Sequence, residues 1–119
     1  VTQKQIVGAY RALEHLSKQT LPVKTAYAMH KMRGKLRPLW DFQVEQEQQL
    51  LEELKPTPEG NDLVFASPED SKRWLDLLKD LAEIETDIKV DPIDVTMTDD
   101  MKVSMADIEA LDGFINFIE

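Results

Sequence analysis

Cysteine is absent from the 119 residues, which removes disulfides, thiolate nucleophiles and cysteine zinc sites together. A cytoplasmic setting is expected, although such a chain folds in either redox compartment. No apolar run approaches the length of about 18 residues that a membrane-spanning helix needs. The opening "VTQKQIVGAY" lacks a basic stretch followed by an unbroken apolar one, so no signal peptide is expected. The four glycines, Gly8, Gly34, Gly60 and Gly113, stand alone and form no phosphate-cradling loop. His15 and His30 fall outside any metal-ligand spacing, and Asp99-Asp100 lacks the pattern of a calcium loop. None of Ser17, Ser67, Ser71 and Ser104 has a nucleophile-elbow context. The expectation is a non-enzymatic protein with no catalytic residue, no metal site and no cofactor.

What is abundant is negative charge, unevenly placed. The net charge is −9. Residues 1–38 hold eight Lys and Arg against the single acid Glu14, or +7, whereas residues 39–119 hold six cations and 22 acids, or −16. Two accounts fit such asymmetry. The halves attract each other, within a chain or between subunits, or one half faces an oppositely charged partner.

Hydrophobic spacing and punctuation predict a mainly α protein of the α+β kind, one domain over 1–119. Thr2-x-x-Gln5 is a capping-box pattern, and Ile6, Val7, Tyr10, Leu13 and Leu16 then recur at helical spacing, so a helix is expected from about residue 3 to 18. A second begins near Pro22. At 100° per residue, Ala26, Met29, Met32, Leu36, Trp40, Val44, Leu51 and Leu54 share an arc of roughly 120°. The phase survives Pro38, which predicts one long helix over 22–54, kinked where Pro38 cannot bond the carbonyl of Gly34. Such a helix would be about 50 Å long against a radius of gyration of about 13 to 14 Å for a compact domain, so part of it should project or lie on a second copy. "KPTPEGND" (55–62) reads as a breaker and "LVFA" (63–66) as a short extended piece. Ser67-Pro68-Glu69-Asp70 starts a helix over 68–85. Alternation in "TDIKVDPIDVTMT" (86–98) predicts a small C-terminal β-hairpin turning at Asp91-Pro92. Ser104-x-x-Asp107 starts a short last helix stopped at Gly113, and the apolar "FINFI" should be docked. Residues 1–54 thus form a helical hairpin with the long helix, and 63–119 supply the middle helix, hairpin and terminal helix.

The stretch "MHKMRGKLRPLW" (29–40) concentrates the candidate partner-binding residues. Lys31 and Lys35 share a solvated side of the long helix. Arg33 and Arg37 turn towards the rim of its apolar arc, where planar guanidinium groups favour carboxylates or phosphates. Glu45, Glu47, Glu52 and Glu53 of a neighbouring helix are natural carboxylate partners. Trp40 adds an aromatic anchor. Leu39, Phe42 and Leu50 form a second apolar stripe, a candidate interface for a homo-oligomer.

The segments "LPVKTAYAMHKMRGKL" and "LWDFQVEQEQQLLEEL", with the ending "VSMADIEALDGFI", resemble an uncharacterised family of small helical proteins encoded by bacteriophages and prophages. The resemblance rests on structural motifs and transfers no ligand or catalytic residue. It implies a phage-related origin, in the cytoplasm of the host cell or in the virion. The expected function is a binding protein acting in the infected cell on itself and on a host or phage protein, with inhibition of a host defence component as one specific form. The alternatives are a virion or phage assembly component, or a nucleic-acid-binding protein using the basic N-terminal part. No membrane partner is expected.

Overall fold

The computed structural model describes residues 1–119. Helix α1, Gln3–Ser17, opens with the expected capping box: the Thr2 hydroxyl accepts from the Gln5 amide at 3.3 Å, and Gln5 Oε1 accepts from the Thr2 amide at 2.8 Å. Its buried positions, from Gln3 and Ile6 to Leu16, span about half the helix circumference. That width fits its place: α1 is the helix against which the others pack.

Helix α2, Val23–Leu54, runs without interruption through Pro38. Its 32 residues at 1.5 Å each give about 48 Å, close to the 50 Å long axis of the molecule. The radius of gyration is 16.7 Å, above that of a compact domain of this length, so one end of α2 stands out from the body. The helix stops at Lys55, which takes left-handed φ/ψ and donates its amide to the Leu51 carbonyl at 2.8 Å.

The chain then makes an antiparallel hairpin of β1, Thr57–Glu59, and β2, Asp62–Val64, turning at Gly60 with φ of +63°. The expected breaker therefore holds a strand as well as a turn. Helix α3, Pro68–Glu83, follows Ser67, whose hydroxyl accepts the Asp70 amide at 3.1 Å. It runs back along the outer half of α2, with Arg73 on Glu53 at 2.8 Å and Phe65 against Trp74. The seam of this two-helix arm is shallow. Leu81 is the only buried residue of α3 and Leu54 lies buried at the end of α2, while Leu50, Leu51, Trp74, Leu77 and Leu78 stay half-buried.

The C-terminal part differs from the expected hairpin. Strand β3, Ile93–Thr96, pairs in parallel with β4, Ile115–Ile118, and Val95 lies opposite Phe117. Helix α4, Met105–Ala110, lies between them in sequence and is capped by Ser104 and Asp107. Residues 86–92 form no ladder, and Ile88 and Val90 pack half-buried against the core. The alternation in 86–98 was a true sign of extended chain, but the better partner for Ile93–Thr96 is "INFI", whose own alternation buries Ile115 and half-buries Phe117. Apolar residues of α1, Met29, Met32 and Leu36 of α2, and Val95, Met101, Leu111, Phe114 and Ile115 form one core.

Three ties close α1 onto distant parts of the chain. The Gln3 amide donates to the Ile84 carbonyl and the Thr86 amide to the Val1 carbonyl. Gln19 and the Lys102 backbone exchange two hydrogen bonds, at 2.6 and 2.9 Å. His15 Nδ1 meets Asp107 Oδ2 at 2.9 Å.

Candidate interaction site

Packing of α1, α3 and the 84–93 segment occupies only part of α2. At 100° per residue, the arc opposite the buried Met29, Leu36 and Leu54 carries Val23, Lys24, Tyr27, Lys31, Gly34, Lys35, Pro38, Asp41, Phe42, Glu45, Gln49, Glu52 and Glu53. Every one of these is exposed. Val23 and Tyr27 retain 84% and 63% of their surface, and with Met105 and Leu75 elsewhere they are the most exposed large apolar side chains of the chain. The Lys31 ammonium lies 5.7 Å from the Tyr27 ring centre, within cation–π range. Two shallow grooves flank the face where it meets the 84–93 segment. One is lined by Tyr27, Lys31, Lys35, Asp91 and Ile93, the other by Lys35, Pro38, Phe42, Ile84 and Ile88.

The face changes sign along its length. Its cations, Lys24, Lys31 and Lys35, precede Pro38, and its acids, Asp41, Glu45, Glu52 and Glu53, follow it. The cations are not neutralised within the chain. The ion pairs present are Val1 with Glu85, Arg37 with Asp41 and Arg73 with Glu53, beside the His15–Asp107 hydrogen bond. Of the eight Lys and Arg in residues 1–38, Arg37 alone has a carboxylate at salt-bridge distance, at 3.8 Å. Between the halves of one chain, direct pairing of Lys and Arg with carboxylates is therefore confined to Arg37 and Asp41.

The other expected site residues are distributed differently. Arg33 reaches across to the end of α1, where Nη1 donates to the exposed Ser17 Oγ at 3.4 Å, and its expected glutamate partners lie elsewhere: Glu47 accepts from Gln43 and Glu53 from Arg73. Trp40 belongs to the fold. Its ring stacks on Tyr10 at 4.7 Å, with the Arg11 guanidinium 5.4 Å from its centre. Leu39 packs on the core and Leu50 is half-buried, so of the expected oligomer stripe only Phe42 stands exposed. The two sides of the second apolar stripe are thus largely covered by the chain's own 84–93 segment and α3.

Sequence reasoning that follows apolar residues alone misses the face, because its content is polar. The signal was available in the same helical projection applied to Lys and Glu, with Tyr27 and Val23 as its apolar members. No helix is long and apolar enough to cross a membrane, and no three His, Asp or Glu side chains converge as metal ligands. Compared with known protein families, curated proteins and solved structures, the chain matches none.

Proposed function

We propose that this chain is a non-enzymatic interaction protein that docks on a protein partner through the outward face of α2. The observation that carries this reading is the set of N-terminal cations left without carboxylates in a chain that holds 23 Asp and Glu. Unpaired, exposed Lys24, Lys31 and Lys35, beside exposed Val23 and Tyr27, make a charged surface with apolar anchors, the composition of a recognition site. A protein partner fits better than a nucleic acid. A phosphate backbone tracking the lysines would run onto Asp41 and Glu45 of the same face, where like charges repel.

The resemblance to small phage and prophage proteins supports action in a phage-infected bacterial cell. Inhibition of a host defence component is one specific role of this kind. The test is capture of binding proteins from infected cells with the native chain and with Lys31→Glu/Lys35→Glu, followed by titration of each purified partner. The expected result is a partner that binds the native chain and is lost on charge reversal. A set of partners unchanged by the reversal overturns the docking face. Recovery of the chain in purified particles at fixed copy number assigns it to the virion instead.

A further inference from the structure

We infer that the occupant of this face is a second copy of the same chain, lying antiparallel along α2 with the two-fold axis at Pro38. The inference rests on reading the face as a docking surface and names its partner. Positions 24, 27, 31, 34, 38, 41, 45, 48 and 52 follow one another at alternating spacings of three and four, which keeps them on one line along a helix. When two such lines pair antiparallel about Pro38, residues equally far on either side of it meet. Lys24 then faces Glu52, Lys31 faces Glu45 and Lys35 faces Asp41, and two-fold symmetry repeats each contact. Every cation of the face meets an acid.

Other arrangements lose this match. Parallel pairing sets Lys24 on Lys24 and Glu52 on Glu52. Sliding the antiparallel pair by one helical turn keeps one of the three pairs: one way Lys35 meets Glu45, but Lys31 meets Gln49 and Lys24 lies beyond the end of the helix; the other way Lys31 meets Asp41, but Lys24 meets Gln48 and Lys35 meets Arg37. The charge order therefore selects one register by both attraction and repulsion.

The same register gives Gly34 a purpose and puts Pro38 on the axis. Both weaken a helix, and neither is needed by its own chain: both are exposed, and a Cβ added at Gly34 would meet no atom within 4 Å. In the pair, Gly34 lies opposite the exposed Phe42 of the other copy. A residue with no side chain there admits the ring and lets the backbones approach. The face is about 42 Å long and about 10 Å wide, or roughly 400 Å² per copy, small for a permanent dimer. The pair is accordingly an exchanging one, held by charge.

Sedimentation equilibrium in low salt tests this. The expected mass rises with concentration from 13.7 kDa to twice that value, and the affinity falls about tenfold or more as salt is raised to about 0.5 M. Lys31→Glu and Glu45→Lys each leave a folded monomer by circular dichroism. Mixing the two restores association, because the 31–45 contacts in the mixed pair are again of opposite sign. The double variant Lys31→Glu/Glu45→Lys also pairs with itself. Pro38→Cys, the only thiol in the chain, crosslinks to itself under mild oxidation. A native chain that stays monomeric in low salt at every concentration, or single variants that fail to complement, overturns the pairing. The double variant separates this from the docking reading, since it retains self-pairing and loses any other protein partner. A monomeric native chain whose captured partner the double variant loses leaves the docking reading standing and removes the pairing.

Discussion

Gln3 is 1% exposed at the start of α1, and its side-chain Nε2 donates to the Leu39 carbonyl at 2.8 Å and to Gln43 Oε1 at 3.4 Å. Gln43, also buried, donates onward to Glu47. This polar thread fixes the crossing of α1 on α2 at one register. Gln3→Leu leaves the Gln43 oxygen buried without its donor, so a loss of about 1–3 kcal/mol is expected in urea unfolding. Gln3→Leu/Gln43→Leu should cost less than the sum of the two single changes, and strictly additive costs would show the thread to be unimportant. Sequence spacing could not identify this pair. A glutamine reads as surface, and its partner lies forty residues away. Capping residues were legible because their signal is local. Thr2, Ser67 and Ser104 each act within three residues of themselves.

Continuity of α2 was legible for a different reason: the apolar phase is kept from Met29 to Leu54 across Pro38, and phase is the property packing selects. The parallel pairing of β3 with β4 was not legible. Alternation announces that a segment is extended, but the choice of partner depends on where α4 delivers the chain's last residues. Helix α2 also carries an element-scale prediction. Gly34→Ala should stabilise the lone chain by about 1 kcal/mol, and Pro38→Ala by up to about 3 kcal/mol, because both sites are exposed and an alanine there meets no obstruction. Thermal unfolding at high salt, where two copies stay apart, is the suitable measurement. A destabilised Gly34→Ala would mean that the glycine serves its own chain after all.

At the scale of the molecule, the body and the arm differ in depth. The body has a contiguous core around α1, whereas the outer half of α2 with α3 buries only Leu54 and Leu81 among its apolar residues, beside a half-buried seam. Amides of α3 over 68–77 should therefore exchange with deuterium well ahead of those in α1 over 6–16, since fewer buried contacts oppose local opening. Equal protection in the two would contradict a shallow arm. The charge split between 1–38 and the remainder was legible in composition, but the face it serves emerges only when packing shows which side of α2 is left uncovered.

The ties from α1 to Ile84, Lys102 and Asp107 bear on the order of assembly. Helix α1 with the first half of α2, and α3 with the second half, join segments near in sequence, so each can condense early. The ties span 81 to 92 residues, and closing loops of that length slows folding. Until they close, the α1 surface that takes Leu111 and Phe114 stays open to water. The slow step of folding is then the arrival of 93–118 on α1, and its rate, unlike that of the helical hairpins, should respond to changes at Asp107 and Gln19.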